Sequence, residues 1–243
     1  MNRRSSSAAL GTDLSNVIAL LQERRIVPAK PSNDLLDQAK AIHNATYSLI
    51  LWRFRLQGLP LHGRVFLEEI ASDALQILPQ VLLGFSKTAK LLIRGIAENA
   101  LRHIYFSDHP IEFMRMNRDI KWYVTIESLN DYAKNHPQYL KTEAKFDAIA
   151  RLASLYSDLS AGVHGRSVRD LEMRRALGKI AFDIDAAKTD AELVRKCAAS
   201  VNFLLAIFHH ERVRRFQVAD RSLILRTMPP TARSVWASHD SAS

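Results

Sequence analysis

Apolar side chains recur every three or four residues along almost the whole chain, which is the spacing of one face of an α-helix. Near the N-terminus, for example, Leu14, Val17 and Leu21 would lie together on one side of a helix. The pattern predicts helices over residues 13–25, 33–55, 64–78, 80–106, 111–134 and 189–208, with another after Pro137 that ends between Gly162 and Gly165.

Proline and capping residues mark the ends of these helices. Pro79 has no amide proton, so it should kink or end the helix that begins near residue 64. Residues 107–110 carry a capping residue followed by proline at or near the first helical position, and residues 135–137 form a second junction. Thr189 and Glu192 have the spacing of a capping box, which predicts that a helix begins there.

One segment, residues 166–188, fits more than one structure. Its part 171–177 could be a short helix, and its part 179–184 alternates enough for a small strand. We therefore expect an all-α protein: a helical bundle of four or more long helices with short accessory helices, with a short strand or hairpin near 166–188 as an alternative.

The linkers divide the chain into three predicted parts. Residues 1–32 should form a short helix and a linker, residues 33–228 the helical bundle, and residues 229–243 a disordered tail. The sequence has no repeat of 20–50 residues, no glycine-rich phosphate loop and no nucleophile elbow. Solenoids and the common small-molecule enzyme folds are therefore disfavoured.

Charge and composition bear on the class of partner and on the cellular compartment of the protein. The formal net charge is +9, with 34 Lys and Arg residues against 25 Asp and Glu. This excess fits either an ordinary basic protein or one that binds a polyanion such as RNA. Cys197 is the single cysteine and falls in an apolar helical run, so we expect it in the core of a protein from a reducing compartment. No segment reads as a signal peptide or membrane span, which predicts a cytoplasmic protein with no membrane partner.

Two polar stripes interrupt this apolar pattern. In the first, Arg94, Glu98 and Arg102 are spaced four residues apart and would stack on one helix face. Because Leu91 and Tyr105 share this face, it should be partly covered. A solvated ladder of ion pairs and a buried network remain open as interpretations.

The second stripe has the same spacing and consists of Tyr156, Ser160 and His164. Its helix has a separate water-facing arc, so Ser160 and His164 should lie on the buried side, where unpaired polar groups cost about 1–3 kcal/mol each. These groups must bond each other or line a site. His164 could be a core histidine bonded to a backbone carbonyl, or a group positioned for phosphate contact or proton transfer.

The two stripes together carry a family resemblance. A helix of the form Arg-x3-Glu-x3-Arg followed by Tyr-x3-Ser-x3-His-Gly resembles HEPN-type helical domains, and the resemblance covers residues 87–166. It implies a bundle of four or more helices, often dimeric, that acts on RNA without a metal ion. Many domains of this type belong to bacterial proteins associated with phage defence.

The resemblance also implies a chemistry. In active members an Arg-x4–6-His motif cleaves RNA: the 2′-hydroxyl attacks phosphorus, His moves the proton and Arg stabilises the charge. This chain departs from the pattern, because no arginine lies five to seven residues before His164. The spacing occurs in Arg102–His109 on a strong helix, so the catalytic residues implied are Arg102, His109 and His164.

Binding roles fall on the remaining polar residues of the two stripes and their neighbour, namely Arg94, Glu98, Tyr156, Ser160 and Arg166. No cofactor and no metal site are expected, because the adjacent His209 and His210 would point about 100° apart on a helix. The expected partners are RNA and either a second copy of the chain or a protein of the same defence operon. The alternative function is a non-catalytic helical module that docks on a protein or a nucleic acid.

Overall fold

The computed structural model describes residues 3–142, 146–164 and 180–240, without the side chains of 3–7, 161–164 and 239–240. These residues are 81% helical and contain no strand, which confirms the predicted all-α class. The helices are α1 (Arg3–Glu23), α2 (Asn33–Arg55), α3 (Leu61–Leu82), α4 (Ser86–Asp108), α5 (Pro110–Arg118), α6 (Ile126–Asn135), α7 (Pro137–Leu140), α8 (Ala148–His164), α9 (Ile184–Phe208), α10 (His210–Arg214), α11 (Val218–Thr227) and α12 (Pro230–Asp240).

Helix α9 lies at the centre of the bundle, with α2, α4 and α8 packed around it. Its residues from Val194 to Ile207 are buried on almost every side, and Cys197 is among them, as the sequence predicts. A polar cluster inside the core joins α9 to two other helices. The indole N–H of Trp52 donates to Asn202 Oδ1 at 2.7 Å, and Asn202 Nδ2 donates to Ser48 and Thr227 at 2.7 Å each.

Helices α4 and α9 run parallel, and contacts along their length fix this register. Ser86 donates to Asp190 at 2.9 Å near the beginning of both helices, and His103 meets His209 near their ends. Helix α3 runs antiparallel to α4, since the start of α3 at Gly63 contacts the C-terminal part of α4. The C-terminal end of α4 is therefore surrounded by parts of α3, α6, α7 and α9.

The sequence predicted that this helix ends near residue 78. Instead, Pro79 lies inside α3, which continues past it. A proline at this position removes the hydrogen bond to the carbonyl of Leu75, which is exposed, so water can satisfy that carbonyl. The helix continues to Leu82, and the chain turns at Gly84, whose φ of 83° suits glycine.

The predicted helix over 111–134 is two helices, α5 and α6. The connection between them forms because Asp119 Oδ1 accepts from the amide of Lys121 at 3.0 Å, while Thr125 caps α6 by accepting from the amide of Ser128 at 3.2 Å. These side-chain bonds to the backbone compete with a continuous helix. The predicted helix after Pro137 is likewise divided, into α7 and α8.

The prediction that a helix starts at Thr189 is wrong, because α9 already begins at Ile184. Asp183 caps it by accepting hydrogen bonds from the amides of Asp185 and Ala186 at 3.0 and 2.9 Å. An aspartate at the N-cap outcompetes the later capping-box pair, since helix propensity is high on both sides of Thr189. Residues 180–183 form no strand, and the predicted short helix at 171–177 lies outside the described residues.

Both ends of the chain hold more helix than the sequence predicts. Helix α1 begins at Arg3, whereas the apolar pattern indicated a start at residue 13. The C-terminal tail, predicted to be disordered from residue 229, contains α12, because Ala232, Val235 and Trp236 are buried against the bundle. The polar residues around them hid these three apolar anchors, although positions 232, 235 and 236 have the spacing of one helix face. Of the helices described here, none has the length and apolar character that crossing a membrane requires.

Candidate functional site

The two polar stripes meet at Arg94 and Tyr156. Arg94 Nη2 donates a hydrogen bond to the Tyr156 hydroxyl at 2.6 Å, and the guanidinium carbon lies 4.7 Å from the centre of the same ring. Helix α4 supplies the arginine and α8 the tyrosine, so this pair joins the two helices. A charge-assisted hydrogen bond and a cation–π contact act on the same two side chains.

Two polar atoms beside this pair are buried and unpaired within the described part of the chain. They are Arg94 Nε and Ser160 Oγ, and Ser160 is only 5% exposed. Ser160 lies one turn after Tyr156 on the same face of α8. We call Arg94, Tyr156 and Ser160 the α4–α8 seam. Because each of the three side chains can donate a hydrogen bond, the seam is suited to bind an anionic oxygen.

The other two residues of the first stripe pair with each other. Arg102 Nη2 lies 2.5 Å from Glu98 Oε1, and the two side chains are 36% and 24% exposed. Half-exposed pairs of this kind contribute only tenths of a kcal/mol. The stripe therefore combines both interpretations that the sequence left open: Arg94 joins a covered contact, while Glu98 and Arg102 form a partly solvated ladder.

His109 is held in an aromatic cluster and does not meet Arg102 in the described contacts. Its ring stacks on Tyr105 with 4.3 Å between ring centres, and its Nδ1–H donates to the Tyr105 carbonyl at 2.7 Å. The edge of Tyr132 packs against it at 4.8 Å. Arg102 pairs with Glu98, one turn towards the N-terminus of α4 and away from His109. Arg102 and His109 are thus engaged in separate contacts.

Two predicted site residues cannot be located in this geometry. His164 is the last residue of α8, but its side chain lies outside the described residues, and so does all of Arg166. The helical spacing that groups His164 with Tyr156 and Ser160 therefore stays a prediction.

A pair of histidines, missed by the sequence reasoning, joins the ends of α4 and α9. His103 is fully buried and His209 is partly buried. His103 Nδ1–H donates to the Gly63 carbonyl, which leaves Nε2 as an acceptor in the neutral ring. His209 Nε2 lies 2.7 Å from His103 Nε2 and must donate that proton. The backbone carbonyl therefore sets the tautomers of both rings.

Burial keeps this pair neutral. Desolvation lowers the pKa of His103 to about 4, against smaller opposing effects of the Gly63 carbonyl and the Asp108 carboxylate. Desolvation also lowers the pKa of His209 well below its usual value. Repulsion from His103 when that ring is protonated, and from Arg212, acts in the same direction.

The pair lines a cleft of about 290 Å3 together with Asp108 and His136. Asp108 accepts from the Tyr132 hydroxyl at 2.7 Å, and the same carboxylate lies 3.2 Å from His136 Nε2 as an ion pair. His136 Nδ1 accepts from the Gln138 amide at 3.2 Å, so both nitrogens of this ring are occupied. Since neither nitrogen is left to take a proton from a substrate, the Asp108–His136 pair supports the structure of the cleft more than it supports base catalysis.

No local sequence signal predicts this cleft. His103 follows the polar stripe by one residue, and His209 was considered only as half of a poor metal pair. The positions are 106 residues apart, and only the parallel packing of α4 and α9 brings them together. Across the described residues, no three His, Cys, Asp or Glu side chains are grouped as ligands for a metal ion.

Comparisons with protein-family models, curated proteins and solved structures gave no match to this chain.

Proposed function

We propose that the protein is an RNA-directed helical domain and that the α4–α8 seam binds a phosphate of the RNA. The observation that carries this proposal is the hydrogen bond from Arg94 to Tyr156 beside two buried donors, Arg94 Nε and Ser160 Oγ, which have no partner among the described residues. A phosphate oxygen would satisfy both donors. The net charge of +9 favours such a polyanion.

The chemistry proposed is metal-independent cleavage, the activity of the HEPN-type domains that the two stripes resemble. The 2′-hydroxyl of the RNA loses its proton to His164 and attacks phosphorus, and the bond to the 5′-oxygen breaks. The leaving oxygen takes a proton from water, which gives a 2′,3′-cyclic phosphate and a 5′-hydroxyl. Arg94 neutralises the charge of the transition state, a role that the resemblance had given to Arg102.

Cleavage of single-stranded RNA in EDTA tests this proposal. We expect His164→Ala to lower the rate at least about 100-fold, as loss of an acid–base group does, and Arg94→Ala to lower it similarly. Arg102→Ala is the matched control on the same helix and should retain activity. Activity in EDTA that survives both His164→Ala and Arg94→Ala would refute the assignment.

A second candidate is a binding module without catalysis. It is favoured because Arg102 is paired with Glu98, and His109 is stacked on Tyr105, so two residues expected to be catalytic have structural contacts. In this case RNA or a protein partner would bind and remain uncut. Arg94→Ala would lower the melting temperature by several degrees, as a loss of about 1 kcal/mol does.

The biological setting follows from the same resemblance. We propose that the protein acts in the cytoplasm as a homo-oligomer, or with a protein of the same operon, in phage defence or a toxin–antitoxin system. Sedimentation velocity measures the oligomeric state directly. Plaque counts on cells that express the wild type or the Arg94→Ala variant test defence, and equal counts for both would contradict it.

A further inference from the structure

A short turn between α5 and α6 projects apolar and basic side chains from the bundle. The turn is ordered by its own hydrogen bonds: Asp119 Oδ1 accepts from the Lys121 amide, and the Asp119 carbonyl accepts from the Trp122 amide, both at 3.0 Å. On this turn Ile120 is 98% exposed and Tyr123 72% exposed. Their exposure gives this turn an accessible apolar and aromatic surface that a partner can contact.

The base of the turn is anchored by Trp122. This ring packs against the small aromatic core of Phe66, Phe106 and Phe113, and the guanidinium of Arg115 lies 5.3 Å from its centre. Trp122 therefore holds the backbone on which Tyr123 is carried. Order in the backbone lowers the conformational entropy that is lost when a ligand binds to this segment.

Cations lie close to Tyr123 in the chain. Arg115 and Arg118 come from the last turn of α5, and Lys121 follows within the turn, while Asp119 is the single acid between them in the sequence. Arg118 and Lys121 are exposed. An exposed aromatic ring with neighbouring cations is the pattern by which proteins bind single-stranded nucleic acid.

We propose that this turn binds unpaired nucleotides of the RNA: a base stacks on Tyr123 while Arg118 and Lys121 contact the adjoining phosphates. This inference rests on the proposed function and adds a second contact to the α4–α8 seam. Bases in an A-form duplex are already stacked and cannot present a face to Tyr123, so duplex RNA should bind more weakly.

The turn lies near the C-terminal end of α4, the helix that carries Arg94 of the seam, because Trp122 packs against the cluster that contains Phe106. Arg94 is in the first half of α4, and α5 follows the C-terminal end of α4 directly and docks on it through a hydrogen bond from Tyr105 to Glu112. The distance from Arg94 to the end of α4 is roughly 20 Å along the helix axis. A strand of several nucleotides can span this distance.

The positive charge of the turn favours RNA over the other partners that could contact the exposed Ile120. A second copy of this chain would bring together two positive surfaces, which opposes self-association at this turn. An anionic lipid surface also complements the cations and is therefore included in the test below.

The experiment measures binding of a labelled single-stranded RNA and of its duplex by fluorescence anisotropy with the full chain. Both probes carry 2′-O-methyl groups, so the proposed cleavage by the 2′-hydroxyl cannot occur. We expect Tyr123→Ala to weaken single-strand binding about 5- to 100-fold, the effect of losing one stacked base, and Tyr123→Trp to preserve it. Ile111→Ala, an exposed apolar residue on α5, is the matched control and should bind as the wild type does. Because Tyr123 and Ile111 are highly exposed, both variants should fold, and their melting temperatures are to be measured as a check.

The outcomes separate this inference from the function beneath it. If the wild type binds no RNA, the proposed function and this inference both fail. If RNA binds equally to wild type and Tyr123→Ala, or equally as single strand and duplex, only the inference fails. Binding to vesicles of anionic phospholipid that is lost in Tyr123→Ala, with unchanged RNA affinity, would overturn it in favour of a lipid surface.

Discussion

His103 and His209 share one proton between their Nε2 atoms, 2.7 Å apart, in a site where both rings are neutral. The bond ties the C-terminal end of α4 to that of α9, and His103 also holds the beginning of α3 through the Gly63 carbonyl. Protonation of His103 at Nε2 would place two N–H donors face to face and leave a charge in a buried site. The contact that closes this end of the bundle is therefore sensitive to acid.

We expect stability to fall as the pH is lowered below neutrality. The pKa of His103 is about 4 in the folded protein and near 6.5 when the chain is unfolded, so the unfolded state binds more protons between these values. Stability is then complete above pH 6.5 and decreases as the pH falls towards 4, by up to about 3 kcal/mol from this residue. The lowered pKa of His209 adds loss in the same direction.

Urea denaturation at pH 7 and pH 5 measures this effect. His103→Asn should be less stable at pH 7 and should show a smaller difference between the two pH values. His62→Gln, a change at a partly exposed histidine outside the pair, serves as the control and should keep the wild-type difference. An undiminished pH dependence in His103→Asn would show that other groups cause it.

Loss of the Asn202 side chain should destabilise the core. Asn202→Ala leaves the buried indole N–H of Trp52 without its acceptor and removes the bonds to Ser48 and Thr227. An unsatisfied buried donor costs about 1–3 kcal/mol, so we expect a loss of about 2–3 kcal/mol in the free energy of unfolding. The free energy is obtained from urea curves, with the partly exposed Thr227→Val as a milder comparison. A loss below about 0.5 kcal/mol would contradict a structural role for this network.

Gly84 should not tolerate a side chain. Its φ of 83° is unfavourable for other residues, and a β-carbon there would overlap the backbone carbonyl of Ala181. Gly84→Ala should therefore cost more than about 2 kcal/mol, since the left-handed conformation alone costs about 1–2 kcal/mol. Gly58→Ala is the matched control, because its β-carbon meets open space. Thermal unfolding of both variants decides, and equal melting temperatures would count against the close approach of residue 181 to the start of α4.

Ser160 offers a test of whether the seam is kept for binding. Its buried hydroxyl has no partner among the described residues, so Ser160→Ala should leave stability unchanged or raise it by up to about 1 kcal/mol. The same change should weaken RNA binding, because one donor to the phosphate is lost. Ser48→Ala is the matched control: its hydroxyl donates to the Ala45 carbonyl and accepts from Asn202, so its removal should lower stability. A Ser160→Ala variant that is destabilised and binds RNA normally would assign Ser160 to the structure alone.

The sequence was sufficient where one helix carries the whole signal. Helix α2 has the predicted bounds, because its apolar face, the capping Ser32 and the following glycine and proline all lie in a continuous segment. The meeting of Arg94 and Tyr156 was also accessible, since two stripes with the same spacing on two adjacent helices favour a shared interface.

The sequence was insufficient where tertiary contacts or single hydrogen bonds decide. Asp183 caps α9 at an earlier residue than Thr189, the cap that the sequence predicted. The burial of Trp236 orders a C-terminal tail whose composition is polar. The pair of His103 and His209 depends on the parallel alignment of two helices that are far apart in the chain. No spacing rule within one segment contains that information.

The central position of α9 has a consequence for how the chain is made. Residues 33–164 form the helices that surround it, and they leave the ribosome before residues 184–208 are available to fill the space between them. Until then the inward faces of these helices are exposed to water unless chaperones cover them. Apolar surface that is exposed during synthesis promotes aggregation. Nascent chains that stall before residue 184 should therefore be cleared by proteases far more readily than chains that stall after residue 208.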